Sequence, residues 1–213
     1  MFKFDNVRYK DILKIDTLKI DKGDVVVVVG QTGGGKSTLL KLLNKTISPS
    51  EGRITYNGTP LEEIDSVQHR RNVIYLSQNP FVFKETIRDN LLKGLMFHKK
   101  KSPSDETLRD ILKMVALDKS LESGTDTLSG GEAQRLALGR VLLLGGDVYL
   151  LDEPSSALDD ETERILIDTI TAYVRDNAKT LVMISHSKAI ANKHADRTLV
   201  MDKGTLREGD GNG

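Results

Sequence analysis

Positions 30–37 read Gly30-Gln31-Thr32-Gly33-Gly34-Gly35-Lys36-Ser37, the pattern G-x-x-x-x-G-K-[ST]. Each residue type answers a demand of phosphate binding. Glycines let the backbone curl close to phosphate oxygens, so that successive N–H groups point inward as donors. The positive end of a following helix, here beginning around Ser37 and Thr38, adds to the attraction. Lys36 has the reach for β- and γ-phosphates, and the Ser37 hydroxyl suits a Mg²⁺ coordination position. A second cluster, Val148-Tyr149-Leu150-Leu151-Asp152-Glu153-Pro154, puts adjacent carboxylates at the end of an apolar run. Asp152 is suited to hold Mg²⁺ directly or through its water. Because side chains alternate along a strand, Glu153 is expected to point elsewhere, toward an attacking water.

A third cluster, Leu128-Ser129-Gly130-Gly131-Glu132, opens an amphipathic stretch. Ser129 and Glu132 have capping-box spacing, which explains a helix start but not two bare glycines in its first turn. Uncovered N–H groups beside a hydroxyl make a second anion site, suited to a γ-phosphate. One chain then carries two phosphate-binding ends and needs one nucleotide. A head-to-tail dimer resolves the surplus, with each nucleotide between one chain's cradle and the other's Ser129 end.

The elements that must position these groups are legible from periodicity. Residues 25–29 are all valine and suit a strand buried on both faces, running into the cradle and a helix over 37–43. Alternation at Phe2/Phe4 and at Leu18/Ile20 predicts two strands with one wet face each. Residues 53–56 followed by Asn57-Gly58 predict a strand and hairpin turn, and 73–77 another strand. Residues 86–92 and 104–117 read as helices, the second with Leu108, Ile111, Leu112 and Val115 on one face. Between them, His98 to Lys101 and Ser102-Pro103 read as a solvated basic loop. The stripe Ala133, Leu136, Ala137, Val141, Leu144 is helical and stops at Gly145-Gly146. Strands over 148–151 and 180–185, a helix over 160–174 and a closing hairpin around Lys203-Gly204 follow, and the GDGNG tail is expected to fray. The order implies an α/β fold with a mainly parallel sheet, an N-terminal antiparallel β part and a helical insertion.

Composition narrows the classes. The 213 residues contain no cysteine, which excludes disulfide frameworks and thiolate chemistry. Thirty-one basic residues balance 31 acidic ones, which argues against a broad grip on nucleic acid or an anionic membrane. No apolar run approaches the roughly 20 residues that cross a bilayer. The opening MFKFDN lacks a secretory apolar core, so a cytoplasmic location is expected.

Taken together these motifs resemble the ATP-binding-cassette ATPases, in order and over nearly the whole chain. Besides the cradle, LSGGEAQR and YLLDEP, the resemblance includes Gln78 in YLSQNP, the segment SSALD ending at Asp159, and His186 in MISHS. Tyr9 stands 27 residues before Lys36, where this family has an aromatic that stacks on adenine. The resemblance implies a P-loop NTPase fold in a single domain, residues 1–213, with a core over about 1–83 and 128–213 and a helical subdomain over about 84–145. It implies ATP and Mg²⁺ as ligands, the metal on Ser37, Gln78 and Asp152. Glu153 would be general base or water-polarising carboxylate, and His186 would hold the γ-phosphate and water in line. Gln78 would touch Mg²⁺ or the water and report nucleotide state. Ser129, Gly130 and Gly131 would clamp the γ-phosphate across the dimer, with Asp159 linking the two sites.

For function, the resemblance implies the motor subunit of a transporter, peripheral on the cytoplasmic membrane face, paired with a second copy and with separate membrane-spanning subunits. The alternative is a soluble cassette acting on nucleic acid or ribosomes. Such members carry two cassettes or a long coiled-coil insertion, whereas 49 residues, 79–127, separate Gln78 from Leu128 here, without heptads. Intact Lys36, Glu153 and His186 speak against a regulatory module that does not turn over. After Gln78, Pro80-Phe81-Val82-Phe83 would form part of the socket for a membrane subunit's helix. The stretch from Phe83 to Leu91 resembles exporters, but LESGTD at 121–126 replaces the TEVGERG-like stretch they carry, which leaves the direction of transport open.

Overall fold

Five consecutive valines form β3 (Val25–Gly30), and the side chains of Val25 to Val28 are fully buried. β-Branched side chains favour extended backbone, and a strand without a polar face must be covered on both sides. β3 lies between β8 (Thr180–Ile184) and β9 (Arg197–Asp202) and runs parallel to both. β8 pairs in parallel with β7 (Val148–Asp152), and β7 with β6 (Val73–Leu76). In the computed structural model, which describes residues 1–156 and 158–209 and only the backbone of Lys188, these five strands form one half of a ten-stranded sheet, with β6 at its edge. The last four residues of the GDGNG tail, 210–213, and Ala157 of the SSALD segment lie outside the described residues.

The antiparallel part continues the sheet beyond β9. β1 (Phe2–Tyr9) pairs with β2 (Leu13–Ile20) and with β4 (Glu51–Tyr56), which turns through Asn57-Gly58 into β5 (Thr59–Pro60). β9 turns back into β10 (Thr205–Glu208), and the single pair Thr205–Lys14 joins β10 to β2. The order is β5-β4-β1-β2-β10-β9-β3-β8-β7-β6.

Strand alternation divides the interior into two cores. Val26, Val28, Leu150, Val182 and Ile184 face α1 (Lys36–Leu43) and the N-terminal strands. Val25, Val27, Tyr149, Leu151, Leu181 and Met183 face the other way, toward α3 (Ile87–Phe97), α4 (Asp105–Met114), α5 (Gly130–Leu144) and α6 (Asp160–Asp176). Leu108, Ile111, Leu112 and Val115 are buried as their spacing requires. Thr86, Ser104, Ser129 and Asp159 each cap a helix with a side-chain oxygen, so the helices begin one residue after them.

Two further helices, α2 (Ser66–Asn72) and α7 (Lys188–His194), and a 3-10 turn over Leu61–Glu63 were not foreseen from periodicity. α2 has no apolar stripe: its single aliphatic residue, Val67, is exposed, and its anchor is His69. That imidazole is buried edge-on against Tyr56 and Phe2, with Nε2 2.7 Å from the Leu43 carbonyl oxygen. A carbonyl only accepts, so Nε2 carries the hydrogen; Nδ1 has no partner among the described residues. Burial holds the His69 pKa below its ordinary value, against the opposing pull of the Leu43 bond. The unfolded chain therefore takes up a proton first as pH falls below about 6.5, and stability is lost from there down toward the folded pKa. Urea midpoints at about pH 7.5 and 5.5 should fall with acid, and His69→Gln should shrink that difference. An unchanged difference would assign the acid sensitivity elsewhere.

Candidate functional site

The parallel strands end in register. Val28 of β3 and Asp152 of β7 both align with Ile184 of β8, and Leu76 of β6 aligns with Leu151. The residues that follow these ends, the cradle from Gly30, Gln78, Glu153 and His186, therefore emerge at one sheet edge, the carboxyl edge where open α/β sheets gather ligands. They meet in a cavity of about 370 Å³ lined by Thr32, Gly33, Gly35, Lys36, Ser37 and Thr38 on one side and Gln78, Glu153 and His186 on the other.

The cradle is shaped for close approach. Gly30 has φ +143°, and a Cβ there would lie 2.1 Å from the Met201 carbonyl oxygen of the neighbouring strand. Gly35 caps α1 in a left-handed conformation without a side-chain bond, which leaves the N–H groups of the first turn open to a ligand. Lys36 is buried and folds back, its Nζ donating to the carbonyl oxygens of Gly30 at 2.8 Å and Gln31 at 2.9 Å. Gln31 itself is exposed, and Gly34 is packed beneath the loop. An incoming polyphosphate would offer this ammonium charged oxygens in place of neutral ones.

Opposite stands Glu153, whose Oε2 accepts from Gln78 Nε2 at 2.7 Å and whose Oε1 lies 2.8 Å from His186 Nε2. A carboxylate only accepts, so His186 donates through Nε2. The alternation argument for Glu153 is corrected here. β7 ends at Asp152, and Glu153 has φ +51°, so a left-handed turn, not strand alternation, aims its side chain into the cavity. Gln134 holds that turn: buried on α5, it donates from Nε2 to the Glu153 carbonyl oxygen at 2.6 Å. Asp152 lies beneath, 3% exposed, its Oδ2 accepting from the Tyr75 hydroxyl at 2.9 Å. Burial and the adjacent carboxylate push the Tyr75 phenol up, so it remains a donor.

Gln134 and Tyr75 carried no assignment in the sequence reading. A polar residue within the apolar stripe of α5 was the available signal for Gln134. Ile12, 43% exposed, is the apolar residue on the cavity wall. Tyr9 is not among the lining residues; it ends β1 half-buried, with the Lys10 ammonium 5.4 Å from its ring.

The Ser129 end is likewise not part of this cavity. Ser129 Oγ accepts from the Glu132 N–H, and Glu132 Oε2 from the Ser129 N–H. That backbone bond and Lys119, 3.0 Å away, pull the Glu132 carboxyl down to about 2. A Cβ placed on Gly130 would meet nothing within 4 Å, and the residue is exposed. Asp159 caps α6 by accepting from the Thr162 N–H, a bond that lowers its pKa.

The chain is similar to known proteins. The model of the family described as "ABC transporter" matches residues 13–156. The glutamine transport ATP-binding protein GlnQ of Bacillus subtilis is 35% identical over 98% of this chain and 89% of its own length. The mitochondrial iron-sulfur clusters transporter ATM1 of Candida glabrata is also 35% identical, over 97% of this chain, which spans only 30% of that protein. Among solved structures, a bacterial Atm1-family ABC exporter with ATP bound superposes with a TM-score of 0.87 at 29% identity, over 97% of this chain and 38% of that one. The cassette MJ0796 in a dimeric, post-hydrolysis state with ADP and Pi has the same fold, with a TM-score of 0.87 at 24% identity and full coverage of both chains. The family match and the similarity to GlnQ over nearly the whole of both chains establish that the chain belongs to the ABC transporter ATP-binding-cassette family and is an ATPase.

Proposed function

We propose that the chain is the nucleotide-binding subunit of a transporter, powering movement of a substrate through separate membrane-spanning subunits by ATP-driven head-to-tail dimerisation. One observation carries this reading: the cavity gathers a cradle, a carboxylate and its two donors, while the Ser129 helix start lies outside it, available to a second chain. The boundaries proposed are a core over about 1–83 and 128–213 and a helical subdomain over about 84–145.

The chemistry needs no covalent intermediate. Lys36 exchanges the Gly30 and Gln31 carbonyls for β- and γ-phosphate oxygens, and the open N–H groups of α1 take others. Glu153, the general base, accepts the proton of a water, which Gln78 and His186 hold in line with the γ-phosphorus. Ser37, Gln78 and Asp152 offer hydroxyl, amide and carboxylate oxygens, the hard donor set that Mg²⁺ takes. A Mg²⁺ bound there supplies neutralising charge at the β- and γ-phosphates. The partner's Ser129, Gly130 and Gly131 close over the γ-phosphate, and Asp159 links the two sites across the interface. Hydrolysis removes the contacts that join the chains, and the dimer opens.

The membrane partner would dock in a groove on the helical side. Phe81 and Phe97 are 70% and 68% exposed there, an expensive arrangement for aromatic side chains facing water. No helix among the described residues is long and apolar enough to cross a membrane. The 31 to 31 charge balance favours this over a nucleic-acid partner. Tagged protein recovered from detergent-solubilised membranes of its own host should bring down a multi-span membrane protein. Recovery only from the soluble fraction, with ribosomes or DNA, would replace the transporter reading with the soluble-cassette one.

A further inference from the structure

The Ser129 helix start combines two features that oppose each other. The Ser129 hydroxyl and the N–H groups of Gly130 and Gly131, which an α-helix leaves unbonded in its first turn, suit an anion. The same turn carries a carboxylate, Glu132, whose lowered pKa keeps it charged at neutral pH. A carboxylate there occupies the positive end of the helix dipole and repels any phosphate that approaches the turn. An uncompensated Glu132 would therefore work against the clamp that its own helix start provides.

Two contacts restrain that charge. Glu132 Oε2 is turned back onto the Ser129 N–H at 2.8 Å, and Oε1 receives the Lys119 ammonium at 3.0 Å. Lys119 comes from a different element, the loop that follows α4. Leu117 and Leu121 anchor this loop on either side of it, both buried in the core that holds α5. The Lys119 N–H donates to the Leu117 carbonyl oxygen at 3.1 Å, which fixes the backbone that carries the side chain. Lys119 is the ionic partner of Glu132 among the described residues. The two side chains remain 32% and 22% exposed, so a second chain that closes on α5 meets the pair and not a bare carboxylate. Partly exposed ion pairs add little to the stability of a single chain, so the consequence of this one lies in the charge it cancels.

We propose that Lys119 is a positioning residue for the ATP-driven dimer: it neutralises Glu132, so that Ser129, Gly130 and Gly131 can accept the γ-phosphate held in the partner's cradle. This rests on the head-to-tail reading above and adds to it a residue outside every sequence motif. Lys119 acts through Glu132 and not on the nucleotide. A neutral residue at 132 therefore makes Lys119 dispensable. Glutamine serves that purpose without disturbing the helix start, because its amide oxygen accepts from the Ser129 N–H in the same capping box.

The test is a double-mutant cycle read by sedimentation with saturating Mg-ATP, in chains that also carry Glu153→Gln to hold the nucleotide intact. Lys119→Met should weaken dimerisation at least about tenfold, and Lys119→Arg should stay within about threefold of the parent chain. Nucleotide binding by the single chain and its melting temperature should not change, which separates charge compensation from a structural role. Glu132→Gln alone should dimerise at least as tightly as the parent. Adding Lys119→Met to Glu132→Gln should then alter the affinity by less than about threefold. Should Lys119→Met fail to fold, Lys119→Gln carries the same expectations. A folded Lys119→Met chain that dimerises like its parent would overturn the compensation and leave the head-to-tail dimer standing. Equal weakening by Lys119→Met with and without Glu132→Gln would make Lys119 a direct ligand and overturn its action through Glu132. A parent chain that forms no ATP-dependent dimer would overturn the head-to-tail reading and this proposal with it.

Discussion

Glu153→Gln is expected to lower phosphate release by about 10²- to 10⁴-fold while ATP still binds, and to trap an ATP-bound dimer. The substitution removes the basicity of the carboxylate and little else. Glu153 accepts two hydrogen bonds, from Gln78 and His186. The new amide keeps an acceptor oxygen for Gln78 and turns its NH2 to His186 Nε2, which accepts in the other neutral tautomer, so both contacts survive although the side chain is only 14% exposed. The left-handed turn at position 153 is held by Gln134 through the backbone and stays in place. Melting temperature and nucleotide binding should therefore stay close to wild type while turnover collapses. Phosphate release within about tenfold of wild type would remove Glu153 from the role of general base.

The second large effect is expected at the other end of the site. Gly130→Asp should leave the single chain's stability and its cradle's nucleotide binding intact, yet reduce turnover by about 10²-fold or more and abolish ATP-dependent dimerisation. A Cβ at Gly130 meets nothing within 4 Å, and a carboxylate in the first turn of α5 suits the helix dipole. Nothing inside one chain opposes the change. Across a dimer it would set a negative charge against the γ-phosphate. Gly30→Ala would be a poor probe by contrast, because its Cβ collides with the Met201 carbonyl and tests the fold instead. Analytical ultracentrifugation with Mg-ATP, beside a thermal melt, separates the two effects. A Gly130→Asp chain that dimerises and turns over normally would mean that this helix start does not face a nucleotide.

How much of this was legible in the sequence follows from the range of the forces involved. The valine run, the cradle, the capping box at Ser129 and the stripe of α5 are local patterns, and each is found where its period and caps put it. The convergence of Gly30, Gln78, Glu153 and His186 follows once the strands are parallel, since aligned strands present aligned ends. The backbone at Glu153 was not legible. Alternation carries a strand's geometry one residue too far there, and the φ of +51° is fixed by Gln134, 19 residues away, a bond no local pattern announces. α2 escaped because its anchor is a buried imidazole among aromatic rings in place of an apolar stripe. Tyr9 was placed by its distance from Lys36 along the chain. In space it ends β1 outside the cavity lining, while Ile12 reaches the wall.

The central claim is that each nucleotide is held between two chains, and mixing two inactive variants tests it most directly. Lys36→Ala lacks the phosphate-binding ammonium, and Gly130→Asp carries a blocked signature end. In a head-to-tail pair of one of each, both defects fall in one composite site and the other site is assembled from intact parts. ATPase activity of the mixture should rise clearly above that of either variant alone, toward half that of wild type. If the mixture stays as inactive as its components while sedimentation shows that mixed dimers form, the two ends do not share a nucleotide and the head-to-tail account is wrong.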